Sequence, residues 1–172
     1  PVPPAEAVHV LDTFLTQTHD EHPYLHIFLI AGNHDSAERL SFGTQFFNAQ
    51  NIHVTCFTDT FETPVIIKDT AVYQLPFLYA GSIPAPKSQE NGEESILRHQ
   101  ADLWKEAVRR INTVHEKQYS GLQKLLNAHL FLSGASPSAS EVTFIGTAEQ
   151  VDASLFSTFD YVAAGHLHSK MQ

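Results

Sequence analysis

A chain of 172 residues, 42% hydrophobic and 17% charged, holds enough apolar material for one domain with its own core. No apolar run approaches the ~18 residues of a membrane-spanning helix, which excludes that class, and a single cysteine, Cys56, excludes an internal disulfide and fits a reducing compartment. The net charge of −9 argues against a protein that grips nucleic acid by bulk positive charge, though not against one that reaches phosphates through bound cations.

The chain opens Pro1-Val2-Pro3-Pro4 with no initiator methionine, and its one methionine is Met171. It therefore reads as an internal piece of a longer protein. Pro3-Pro4 before Ala5-Glu6-Ala7 predicts a helix start, with proline tolerated in the first turn and an acid near the positive end of the dipole. Val8, Leu11 and Leu15 give that helix an inward face, and it should end between Thr18 and His22, before Pro23. A strand follows over Leu25–Ala31. Its unbroken apolar run from Ile27 to Ala31 fits a strand buried on both faces of a parallel sheet. Gly32 permits a tight turn, which leaves Asn33, His34 and Asp35 at the sheet's rim. Ala37–Gln50 predicts a short helix containing Glu38, Arg39 and Leu40, weakened beyond Gly43. Ile52–Phe57, Pro64–Lys68 and Ala71–Leu75 read as strands, the last two joined by a hairpin turn at Asp69-Thr70. Residues 81–92 read as a surface loop.

Glu93–Gln118 carries the strongest helical pattern, and its stripe of Leu97, Ala101, Trp104, Val108 and Ile111 reads as core-facing rather than as a cofactor box. Leu122–Leu132 predicts a strand with His129 near its end. Ser133–Ser140 is loop-like, and Val142–Ile145 reads as a short strand. Asp160–Ala164 is another strand, running into Gly165-His166-Leu167-His168. Strands alternating with helices and no internal repeat define an α/β chain.

Three strand ends thus carry ligand-type side chains: Asn33 and His34, His129, and His166 with His168. Parallel strands ending together would gather them at one rim. Imidazoles with an amide or carboxylate oxygen suit manganese, iron or zinc better than calcium or magnesium. Each signal alone has an ordinary alternative. Gly-Asn-His-Asp can be a simple βα turn with Asp35 or Ser36 capping a helix, and a lone His129 can be a satisfied core histidine. The joint pattern is much harder to reach by chance.

Gly32-Asn33-His34-Asp35, a later strand-end His129 and Gly165-His166-Leu167-His168 resemble the calcineurin-like metallophosphoesterases. Within them, Ala31 to Leu40, Ala128-His129-Leu130-Phe131, Ser138-Ala139-Ser140-Glu141 and Phe159 to His168 look like SbcD-type nuclease subunits. The resemblance implies that 1–172 is part of one nuclease domain, within a four-layer α-β-β-α sandwich. It implies two divalent metal ions, usually manganese, with Asn33, His129 and His166 on one and His168 on the other. His34 would stand beside the scissile phosphate and Asp35 would orient His34. It also implies metal-dependent DNA hydrolysis in the cytoplasm, an SbcC-type ATPase partner and a homodimer. The sequence departs from the family in one respect. The Asp-x-His and Gly-Asp-x-x-Asp strand ends that complete the metal site do not occur in these residues, nor does the capping segment beyond Gly-His-x-His. The chain alone is therefore expected to be inactive. A phosphatase or small-molecule phosphodiesterase of the same superfamily, or a non-catalytic binding module of the same fold, are the alternatives.

Overall fold

The computed structural model describes residues 2–86, 96–133 and 150–166. Helix α1 spans Ala5–Glu21, with Glu6 in its first turn, and closes through the His22 amide, which donates to the Thr18 carbonyl before Pro23. Strand β1 is Ile27–Ile30, shorter than the run Leu25–Ala31 predicts. Leu25 is held in a turn instead, its amide donating to the His22 carbonyl. The expected helix after the rim is cut into α2, Ala37–Leu40, and α3, Thr44–Asn48. Gly43 sits between them at φ 77°, a conformation that costs glycine little and interrupts any helix. Strand β2, Ile52–Thr55, lies parallel to β1, Ile27 opposite Ile52 and Ile30 opposite Thr55.

A larger sheet runs in the order β3 (Val65–Ile67), β4 (Thr70–Leu75), β5 (Gln123–His129) and β6 (Tyr161–Gly165). β3 and β4 form the expected hairpin, while β4, β5 and β6 are parallel. The crossover from β4 to β5 is α4, Gln100–Gln118, which starts later than the pattern from Glu93 predicts. His99 is extended, Ile96 forms a bridge to Pro84 and the Leu97 carbonyl accepts from the Gly81 amide, so the chain ahead of the helix pairs with residues 81–84 instead of coiling. The inner face of α4 runs through Trp104, Val108 and Ile111 as predicted, but Ala101 faces solvent and Gln100 takes its place. The Gln100 side chain accepts from the Trp104 indole at 3.2 Å and donates to the Leu78 carbonyl at 2.6 Å. Trp104, Leu103, Ile111, Tyr73, Leu75, Leu78 and Leu126 make the sealed centre of the molecule.

Alternation along β4 turns Tyr73 toward α4, where its hydroxyl meets His115 Nδ1 at 3.2 Å, and turns Gln74 the other way. The Gln74 amide nitrogen donates to the Leu29 carbonyl of β1 at 3.1 Å and the His53 carbonyl of β2 at 3.3 Å. The Phe77 amide adds a bond to the Ala31 carbonyl. One face of the larger sheet therefore meets α4 and the other meets β1 and β2.

Helix α1 differs from expectation. Val8, Leu11 and Leu15 do face β1 and β2, lining a cleft of about 420 Å³ with Leu29, Ile52 and Val54. They do not close it, and no residue of α1 is buried. His168, the run Val142–Ile145, the stretch Ser138 to Glu141 and residues 87–92 of the 81–92 loop lie outside the described residues.

Candidate metal centre

Beyond β1 the backbone folds into a turn that ties itself shut. The Asp35 amide donates to the Gly32 carbonyl at 3.2 Å, and the Asp35 carboxylate accepts from the Gly32 amide at 2.7 Å. The Tyr79 hydroxyl donates to the Asn33 carbonyl at 3.2 Å, bracing the turn from outside. Across the molecule, β5 and β6 finish level, with His129 opposite Gly165, so His166 emerges next to the His129 ring. His166 adopts φ 99°, a backbone region rarely taken by residues with a Cβ, and such residues cluster where function constrains the chain.

Three side chains meet here. His129 Nε2 lies 3.1 Å from Asn33 Oδ1 and 3.2 Å from His166 Nδ1. The two imidazoles are edge to face, 5.1 Å between centroids, and Phe77 and Phe131 pack against them. The three strand ends do converge, but not on the rim of one sheet. Asn33 comes from the smaller sheet and the histidines from the larger.

Gly32 is what lets them approach. A Cβ at Gly32 would stand 2.8 Å from His129 Cε1 and 3.1 Å from each ring nitrogen. A Cβ at Gly165 would meet His129 Nδ1 at 3.3 Å. The His129 ring thus lies over two glycines, and its place is fixed by what those residues lack.

The donor and acceptor roles of the two imidazoles depend on their tautomers, and a neutral ring can present a lone pair at Nε2 or Nδ1. With those tautomers all three atoms would offer lone pairs to a cation. A metal with bonds of about 2.0–2.2 Å to nitrogen and oxygen needs neighbouring donors about 3.0–3.4 Å apart, and the distances observed are 3.1 and 3.2 Å. Those two separations therefore match what donors sharing one divalent ion would need. Among the described residues no group of three or more His, Cys, Asp or Glu side chains is placed to hold a metal ion, and the cluster here has two such residues and Asn33.

His34 and Asp35 are exposed beside this cluster. The contact Asp35 makes within the turn is the one the simple βα-turn alternative anticipates. Ser36 precedes α2 but makes no side-chain cap. Cys56, at the end of β2, is a free buried thiol pushed up to about 11, first by burial and then by the Asp35 carboxylate, so it stays protonated. Tyr79 and Phe77 could not be anticipated, since nothing in their spacing marks them. Gly32 and Gly165 were visible as turn residues but not as the seat of a ring.

The chain is similar to a nuclease subunit. That relative is the SbcD subunit of the SbcCD nuclease of Staphylococcus epidermidis, 29% identical over 147 residues that cover 83% of this chain and 36% of that protein. The resemblance carried by the strand-end motifs therefore extends along most of the sequence. The chain spans about a third of the length of the curated relative it matches. No protein-family model matches. Among the described residues no helix is long and apolar enough to cross a membrane.

Proposed function

We propose that these residues form part of the nuclease domain of a metal-dependent DNA hydrolase. It would act as the nuclease subunit of an SbcC–SbcD-type repair complex in the cytoplasm, with an SbcC-type ATPase as partner and a homodimer as its assembly. The observation that carries this reading is the meeting of Asn33 Oδ1, His129 Nε2 and His166 Nδ1. The order of these ligand types and the similarity to an SbcCD nuclease subunit support it further. The smaller sheet, the larger sheet and the helices α1 and α4 would then be parts of a four-layer α-β-β-α sandwich.

In this reading Asn33, His129 and His166 hold one divalent ion and His168 contributes to a second, with manganese suited to the mixed nitrogen and oxygen donors. Such a pair, when bound, supplies a nucleophilic water at neutral pH and stabilises the attacking and leaving oxygens of an in-line displacement. The chain's own residues do the rest. Gly32 and Gly165 admit the His129 ring, and Tyr79 and Asp35 hold the turn that aims Asn33. His34, exposed at the next position, presents a proton to the leaving oxygen while Asp35 orients it. A positioned general acid contributes ~10²–10⁴-fold.

The test uses the gene product that contains these residues, with linear DNA and titrated manganese. His34→Ala should lower turnover by about 10²–10⁴-fold with manganese affinity nearly intact. His129→Ala should weaken manganese binding, and excess metal should partly restore its activity. Equal rescue of both variants would make His34 a ligand and remove its assigned role. Unchanged manganese affinity in His129→Ala would remove the metal centre itself.

A further inference from the structure

A second cavity adjoins the metal centre. It holds about 240 Å³, below the ~300–1,000 Å³ of a drug-sized ligand site, and it shares Gly32 and Phe77 with the surroundings of His129. Its walls are aromatic. Phe57 and Tyr79 line it while remaining 45% and 54% exposed, and Phe77 meets Tyr79 edge to face at 5.0 Å. Its polar side chains are the carboxylates of Asp35 and Glu38, the Cys56 thiol, and the hydroxyls of Tyr79, Ser82 and Thr58, the last already donating to the Ser82 carbonyl. The Ser82 hydroxyl is buried with no hydrogen-bond partner among the described residues. An orphaned buried hydroxyl costs stability, so its presence calls for an explanation.

Those features select a ligand. No Lys, Arg or His among the described residues lines the cavity, and its two carboxylates repel phosphate. Flat apolar walls favour a planar ring, and carboxylates with a hydroxyl favour the amino and imino N–H groups on that ring's edge. We propose that this cavity is a subsite for one unstacked nucleobase of the nucleic-acid strand, next to the phosphate at the metal centre. Phe57 and Tyr79 supply the stacking faces and Ser82 a hydrogen bond to the base edge. The proposal rests on the phosphodiesterase reading and adds to it a group that recognises the base rather than the backbone.

The test is equilibrium binding of labelled single-stranded oligonucleotides to the gene product containing these residues, in EDTA. Strands that are fully base-bearing are compared with strands carrying one abasic position, moved along the sequence. At one position the base should strengthen binding by ~5–100-fold, the range for a base stacked on an aromatic side chain. Phe57→Ala should abolish that advantage and leave abasic binding unchanged. Phe57→Leu, which keeps packing but loses the π face, should lose most of it. Ser82→Ala should reduce the advantage a few-fold without lowering the melting temperature, since it removes an unpartnered hydroxyl. If no position shows a base advantage, or if Phe57→Ala weakens both strands by the same factor, the subsite does not exist. Manganese-dependent hydrolysis of bis(p-nitrophenyl) phosphate, which carries no base, separates this from failure of the underlying reading. Activity there with no base advantage overturns the subsite alone, whereas absence of activity overturns the phosphodiesterase reading.

Discussion

The two sides of the molecule are built to different standards. Where α4 meets the larger sheet, Trp104, Leu103, Ile111, Tyr73 and Leu75 have no exposure at all. Where α1 meets β1 and β2, Val8 is 52% and Leu11 38% exposed, and the facing surfaces leave a cleft between them. The first side behaves as a core and the second as a layer leaning on it. The candidate metal centre takes Asn33 from the looser side and its two imidazoles from the tighter one. Its geometry therefore depends on the joint as much as on either side.

The largest expected effect breaks the tight side. Trp104→Ala removes a fully buried indole that packs edge to face on Phe156 and should cost ~3–5 kcal/mol by denaturant unfolding. Val8→Ser on α1, on the face toward β1 and β2, should change stability by no more than about 0.5 kcal/mol. Similar losses in both would mean that α1 is packed as firmly as α4.

The next effect falls on the site. Gly32→Ala places a methyl 2.8 Å from His129 Cε1, against a ring held on both sides. Manganese affinity should fall by about 10–100-fold, the usual cost of disturbing a group that orients a ligand. Gly121→Ala is the control, because no described residue lies within 4 Å of its added Cβ, and there affinity should stay unchanged. Manganese binding by Gly32→Ala at the native level would show that the ring moves without consequence.

Gln74→Leu then tests the joint. It keeps the volume but takes a donor from the carbonyls of Leu29 and His53, which should cost about 1–3 kcal/mol. Amide exchange should quicken in β1 and β2 while β4 and β5 stay protected. Uniform acceleration across both sheets would mean that the two sides unfold as one unit.

The tight side was the more legible from sequence because its pattern is set by burial. Trp104, Val108 and Ile111 recur at helical spacing, and that spacing follows directly from packing on one face. The α4 start lies later than its pattern predicts because Ile96 and Leu97 extend the apolar spacing ahead of Gln100, yet Ile96 is drawn off into a bridge with Pro84. On the loose side, the apolar spacing of Val8, Leu11 and Leu15 gave the right face of α1. Spacing reports direction and not distance, so it could not show that the face stays open. The ligand types at Asn33, His129 and His166 were readable from strand ends. That they come from two sheets was not, because pairing between distant segments leaves no local trace. The similarity to an SbcCD nuclease subunit agrees with those motifs and adds no contact between them.

The smallest effect separates the two sides by pH. On the loose side His53 lies between His26, stacked at 5.3 Å with the ring nitrogens 2.9 Å apart, and Phe28, stacked at 4.8 Å. Burial first, and the second imidazole next, hold its pKa below the ordinary histidine value of 6.5. On the tight side His115 is also lowered, by burial and then by Lys124. In both cases the unfolded chain takes up a proton that the fold resists, so stability is fully present above pH 6.5 and falls as the pH drops below it. His53→Phe keeps a ring stacked on Phe28 and removes one of these titrations. Exchange protection of the β1 and β2 amides, corrected for intrinsic rates, should fall between pH 7.5 and 5.5 in the native protein and fall less in His53→Phe. β4 and β5 should respond to pH alike in both proteins, because His115 is untouched. If the β1 and β2 amides lose protection equally with and without His53, the acid sensitivity of the loose side comes from elsewhere.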